Sequence, residues 1–409
     1  MRKIICAVFL WGCAAFFDPA SAQDFSALAR LDADRSTISD ARRGGVRISL
    51  SLSQGVPWRV FTLDDPRRLV LDFREVEWAG ASPESLDQSE AVSALRMGAF
   101  RPGWSRMVLD LAVPLKVAQA GMRVSEETGS AHLLVDLAAT TSREYTALAG
   151  APRDPRWDLP EPSLRLSDRP EKPDWAPTVV VLDPGHGGVD PGAERDGHRE
   201  KDMMLRFARE LRDTLRRAGG FKVVLTRDED IFVSLEQRVA IAHQAGADVF
   251  LSLHADILAD GGAQGATIYT LSKEASDAAS RQLAERQNRA DIIAGVDLSG
   301  TDDVVADVLL DLARLETRPR TERLARAMVL GMKNTSGDLN SRPYRQAAFS
   351  VLKAADIPSV LVEVGFLSSD RDFENLQSPN WRASVAAGIR DGLQAWVIAD
   401  KAQKELVRQ

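Results

Sequence analysis

Cysteine is nearly absent from this chain. Its 409 residues hold two, Cys6 and Cys13, both within the first 22 positions. A mature chain without those positions has no disulfide framework, no thiol nucleophile and no thiolate metal ligand. Histidine is scarce too. His132, His186, His198, His243 and His254 are all there are, so a transition-metal site has to use these and carboxylates. Excess positive charge is missing: the formal net charge is -7, and no global basic balance points to nucleic acid. The glycines at 185–192 (GHGGVDPG) lack the G-x-G-x-x-G spacing, which excludes a dinucleotide fingerprint there.

What is present begins with a targeting signature. Arg2 and Lys3 precede an apolar run at 4–17, and Ala20, Ser21 and Ala22 form a small-residue cleavage signal before Gln23. The apolar run is too short to span a bilayer comfortably, so residues 1–22 are expected to be a cleaved signal peptide, with no transmembrane segment in the mature chain. Leu10, Trp11, Gly12 and Cys13 faintly resemble a lipoprotein processing site, but bulky Trp11 and the apolar residues after Cys13 weigh against it.

A polar lead-in at 23–43 precedes a β-rich module at about 44–138. There Val46, Ile48, Leu50 and Leu52 alternate with Arg47, Ser49, Ser51 and Ser53, the period of a half-buried strand. Further short strands are expected at 58–63, 69–73, 107–111, 115–118 and 133–137, which together predict a small all-β sandwich-like domain. Residues 139–177 carry Pro152, Pro155, Pro160, Pro162, Pro170 and Pro173 among many charges and read as an extended linker. From 178 to about 400, strands expected at 178–182, 222–225, 249–253, 266–271 and 359–364 alternate with helices at 202–217, 234–245, 276–289, 303–316, 320–332 and 384–399. That alternation predicts an α/β domain with a mostly parallel sheet and helices on both faces.

The chemistry gathers at strand ends. Val179, Val180, Val181 and Leu182 form a buried-strand run that stops at a turn signal, and His186 follows in a glycine loop. Glu200 stands just ahead of an apolar-periodic helix. His254 directly follows the apolar run at 249–253. Parallel strands share one C-terminal edge, where open α/β sheets bind ligands. Two imidazoles and one carboxylate are the set that catalytic zinc uses, with a fourth position left to water. Glu363, the lone carboxylate near the end of the apolar strand at 359–364, fits a general acid/base. His198 is a rival ligand in a charged loop; His243 and His132 read as structural or exposed.

Four ordered motifs carry a resemblance: DPGHGG at 183–188, EKD at 200–202, SLHAD at 252–256 and VEVGFLS at 362–368. They resemble the zinc-dependent N-acetylmuramoyl-L-alanine amidases that separate daughter cells in Gram-negative bacteria. The resemblance implies one zinc ion on His186, Glu200 and His254, a catalytic Glu363, peptidoglycan as substrate and a periplasmic location. Ser369 departs from the Asn that many members have there. The β-rich module resembles the AMIN domain, which implies peptidoglycan binding and targeting.

The resemblance also implies a role for a helical insertion at about 273–320: a helix covers the active site until a LytM-type activator at the divisome displaces it. Glu285 is then the candidate to occupy the open zinc position, with Glu274 and Glu316 as neighbours. Val304, Val305, Val308, Leu309, Leu312 and Leu315 form an apolar helical stripe in the same insertion. Two rival readings remain from the residues alone: another zinc hydrolase acting on wall peptides, such as a carboxypeptidase, and a catalytically silent wall-binding protein.

Overall fold

A computed structural model describes residues 29–78, 80–101, 103–125, 127–152, 173, 175–258, 263–296, 304–354 and 356–407. The expected signal peptide, and most of the proline-rich stretch, lie outside the described residues. So do the side chains of the apolar stripe at 304–315.

Two layers of antiparallel strand make the first domain. One sheet runs β1 (Ala29–Ala41), β2 (Gly45–Leu52), then β8 (Ala131–Ala139) and β7 (Leu115–Val124), with the short strands Val76–Glu77 and Asp87–Gln88 on β1. The other runs β3 (Trp58–Leu63), β4 (Arg68–Phe73), then β6 (Trp104–Leu111) and β5 (Val92–Arg101). On β2 the alternation holds: Val46, Ile48, Leu50 and Leu52 are buried in the core between the sheets while Arg47 is exposed. The expected lead-in at 23–43 is corrected, because its second half is β1. That strand is hard to see in sequence since a register shift between Asp32 and Thr37 breaks its alternation. The expected linker also starts later than residue 139. A short helix, α1 (Ser142–Leu148), packs on the sandwich through Tyr145, whose hydroxyl donates to the carbonyls of Leu63 (2.9 Å) and Arg68 (3.0 Å).

The second domain is the expected α/β sheet. Its strands are β9 (Thr178–Pro184), β10 (Phe221–Leu225), β11 (Val249–His254), β12 (Ala266–Leu271), β13 (Leu339–Ala347) and β14 (Ser359–Glu363), in spatial order β10-β9-β11-β14-β12-β13. The first four in that order are parallel, and β12 turns antiparallel against β14. Alternation sorts the strand side chains to two faces. Val180, Leu182, Leu251, Leu253 and Val362 join one core with helices α2 (Glu200–Ala218), α6 (Val304–Thr335) and α8 (Pro379–Val407). Val181, Phe250 and Leu361 join the opposite core with α3 (Leu235–Gln244) and α4 (Ala278–Gln287). A one-turn helix, α5 (Ala290–Ile293), follows α4, and α7 (Asp370–Gln377) precedes α8. Among the described residues no helix is long and apolar enough to cross a membrane.

Two expected helices, 303–316 and 320–332, are one continuous α6 with Pro319 inside it. Beyond Pro319 it packs along α8, where Arg320 pairs with Asp400 at 2.9 Å and Trp396 Nε1 donates to the Arg320 carbonyl at 3.0 Å. The two helices cross where glycines allow the backbones to meet. A β-carbon on Gly392 would lie 2.6 Å from Met328 Cα, far inside van der Waals contact. Gly392→Val should therefore overpack this crossing and destabilise the domain by about 2–3 kcal/mol, read as a lower urea midpoint; an unchanged midpoint would mean that the helices separate freely.

Candidate metal centre

The register of the parallel strands sets the site. Pro184 on β9 lies beside Leu253 on β11, and His254 on β11 lies beside Glu363 on β14. The C-terminal ends of three strands thus form one ledge. Past β9 the chain turns through His186 at φ 59°, a left-handed conformation rare for a residue with a side chain. The surrounding structure holds it there. Arg238 donates to Asp183 Oδ1 (2.7 Å), to the Pro184 carbonyl (3.0 Å) and to the His186 carbonyl (2.9 Å). Arg227 donates to the carbonyls of Pro184 (3.1 Å) and Gly185 (2.8 Å). Gly185 has no substitute, since a β-carbon there would overlap the His254 ring.

Glu200 opens α2 and is fully buried. Its Oε1 accepts from the Ala255 amide (2.9 Å) and lies 3.1 Å from His254 Nδ1. Its Oε2 accepts from the Ala193 amide (3.0 Å) and lies 3.1 Å from His186 Nε2. Burial opposes its charge, yet the two histidines and these hydrogen bonds hold it well below the usual carboxylate range. His186 Nδ1 meets Asp190 Oδ2 at 2.8 Å. Burial disfavours an imidazolium, but Asp190 and Glu200 outweigh it and hold the His186 pKa well above normal.

The structure brings His186, Glu200 and His254 together, with one ligand atom of each within 4.8 Å of the others. His186 Nε2 is buried and has no hydrogen-bond partner. A buried ring nitrogen left bare, beside a carboxylate, while the opposite nitrogen is fixed by a second carboxylate, fits a metal-binding histidine. The donor set fits a divalent transition metal.

Glu363 is fully buried beside this cluster. Its Oε2 accepts the Asp256 amide at 3.1 Å, and its Oε1 has no partner. Burial, then the nearby carboxylates of Glu200 and Asp256, push its pKa well above the ordinary carboxyl value. A raised value of this kind is common in carboxyls that exchange protons during a reaction.

The other expected residues lie elsewhere. His198 is exposed and packs edge-on against Phe373 at 5.3 Å; His243 pairs with Asp356 at 2.7 Å; His132 bonds Ser49 Oγ at 2.9 Å. Glu285 is exposed on α4 and does not line the centre. The α4 face that packs inward is Ser280, Leu283, Ala284 and Gln287, and Glu285 falls off that stripe. Gln287, Asn288 and Ala290 instead line, with His186 and His254, a cavity of about 10 Å³. Arg286 and Gln287 tie the end of α4 to Asp256, at 2.8 Å and 3.3 Å.

The sequence reading missed Asp190, Asp183, Arg238 and Asp256. Asp183 and Asp256 do stand inside the quoted motifs. Asp190→Ala should weaken divalent-metal affinity about 10–100-fold by freeing the His186 ring, measured by competition with a chromophoric chelator. Unchanged affinity would remove Asp190 from the site.

Residues 180–395 match the family described as N-acetylmuramoyl-L-alanine amidase, and residues 38–137 match the AMIN domain. Over 371 residues the chain is 33% identical to N-acetylmuramoyl-L-alanine amidase AmiC of Escherichia coli O6:H1, covering 86% of each protein. It is also 33% identical over 364 residues to AmiC of Neisseria meningitidis serogroup B, again covering 86% of each. To AmiA of Escherichia coli K12 it is 41% identical over 217 residues, 53% of this chain and 74% of that protein. A His–Glu–His cluster at the sheet edge, an AMIN domain ahead of it and relatives along most of the chain agree: this protein belongs to the N-acetylmuramoyl-L-alanine amidase family.

Proposed function

We propose that this chain is a periplasmic zinc amidase that hydrolyses the amide between the lactyl group of N-acetylmuramic acid and L-alanine of the peptidoglycan stem, for daughter-cell separation. The observation that carries this is the buried His186, Glu200 and His254 cluster with Glu363 beside it, in a chain of this family. Zinc held by these three residues supplies a Lewis acid for the lactyl carbonyl and lowers the pKa of water. Asp190 orients the His186 ring, and the Ala193 and Ala255 amides orient Glu200. Glu363 Oε1, the oxygen without a partner, takes the proton of the attacking water. It returns that proton to the alanine nitrogen as the carbon–nitrogen bond breaks. The Asp256 amide keeps the other oxygen in place.

Autoinhibition belongs to the same proposal. A cavity of about 10 Å³ holds at most one water and has no room for a lactyl carbonyl. Gln287, Asn288 and Ala290 are the covering residues in this account, and an activator of the LytM type lifts them. Gln287, rather than Glu285, is the α4 residue of the cover in this reading, with its amide on Asp256. The AMIN domain is the wall-targeting module.

Glu363→Ala should keep its metal and lose release of dye from labelled sacculi by at least about 100-fold, the typical contribution of a positioned acid/base. Wild-type release by that variant would sink the assignment of Glu363. Deleting about residues 275–315 should raise the low basal rate. A deletion that folds, binds metal and shows no gain would end the covering role.

A further inference from the structure

The outer face of sheet β3-β4-β6-β5 is not bathed in water. Alternation sends Leu69, Leu71, Met107 and Leu109 into the sandwich core and turns Arg68, Val70, Arg106 and Val108 outward. On a free sheet face the outward residues are solvated. Here Val70 and Val108 are fully buried, and Arg68 and Arg106 are each only 3% exposed. What covers them is the chain just after the residues that close the metal centre.

Four successive carbonyls there each accept from a sandwich arginine. Arg68 donates to Ile292 O (2.8 Å) and Arg96 to Ile293 O (2.9 Å). Arg106 donates to both Ala294 O (3.1 Å) and Gly295 O (2.7 Å). These carbonyls lie at and just past the end of α5; that of Ile292 also accepts the Gly295 amide at 2.9 Å, and the arginines add side-chain donors to this terminus. Two of the arginines are aimed in advance. Asp72 grips Arg106 at 2.6 and 2.9 Å, and Asp110 grips Arg96 at 2.6 and 2.9 Å. A two-point grip of this kind fixes the plane of the guanidinium.

Apolar contact completes the surface. Phe100 and Val108 of the sandwich pack with Val189, Phe232 and Ala294 of the catalytic domain. Gly295 sits at φ 66°, and a β-carbon on it would lie 3.0 Å from Val70 and 3.1 Å from Val108. The Val189 amide donates to the Ala99 carbonyl at 3.1 Å, which joins the sandwich to the His186 loop as well. Segment 287–295 is therefore held between two bodies, with Gln287 over the histidines and Ile292 to Gly295 on the arginines.

We propose that the β-sandwich domain is the clasp of this enzyme: the arginine face of β4, β5 and β6 binds segment 292–295 of its own chain and so keeps the covering residues over the metal centre. The proposal rests on the covering role given above. Opening the centre then requires the segment to leave the sandwich, and a ligand that engages Arg68, Arg96 or Arg106 competes with the cover. Wall targeting and catalysis become linked through one surface.

The test uses the full mature chain with Arg96→Ala, with Arg68→Ala plus Arg96→Ala, and with Gly295→Val, which attacks the same contact from the other side. Hydrogen exchange of amides 286–296 and basal dye release are both measured, with metal content and circular dichroism checking the fold. Exchange of that segment should quicken roughly tenfold or more, as loss of a charge-assisted hydrogen bond implies, and basal release should rise with it. Unchanged exchange in folded variants overturns the clasp. Faster exchange with no gain in release supports the clasp and overturns the covering role instead.

Discussion

The site hangs on a buried ion pair. Asp183 ends the apolar run of β9 and is completely buried, where an unpaired carboxylate is costly. It accepts from Arg238 at 2.7 Å, Thr226 Oγ1 at 2.6 Å and Ser252 Oγ at 2.7 Å. Burial raises its pKa, but Arg238 and the two hydroxyls outweigh that and hold it below the ordinary value. Arg238, so fixed, also donates to the carbonyls of Val233, Pro184 and His186. Removing one partner of such a pair leaves an uncompensated charge, at a cost of about 3–5 kcal/mol. The left-handed backbone at His186, and hence the aim of its ring, depends on this pair. Ser252 ties the same carboxylate to β11, the strand that carries His254.

Much of the centre was legible because strand ends are legible. A run of apolar residues closing on His186, another closing on His254 and a third closing on Glu363 require only a parallel sheet to bring them together, and the register pairs His254 with Glu363 directly. Asp190 was not legible, since its contact with His186 depends on a loop with positive φ at His186, Gly187 and Gly188. The edge strand β13 also escaped notice. Its residues LNSRPYRQA are largely half-exposed and include a proline, which an edge strand tolerates. Glu285 was chosen from resemblance alone. The helical period of Leu283, Ala284 and Gln287 already turns that residue outward.

The domains are bound by more than a linker. The outward sheet face of the sandwich carries buried arginines, and those side chains find their acceptors in the catalytic domain. Arg68, Arg96 and Arg106 carry no motif that marks them in the sequence. Only the approach of residues 292–295 gives them a role, and no local pattern encodes that approach. The segment between is held from two sides: Arg286 and Gln287 are tied to Asp256 on one side, and the next turn is tied to the sandwich on the other.

The scissile bond is tested most directly by mass spectrometry of material released from purified sacculi, with the wild type and the 275–315 deletion side by side. Cleavage at the lactyl–alanine amide predicts free stem peptides beginning at L-alanine, together with intact glycan whose muramic residues carry a free lactyl carboxylate, in greater yield from the deletion. Stems shortened from the D-alanine end but still attached to glycan would contradict it and point to a carboxypeptidase.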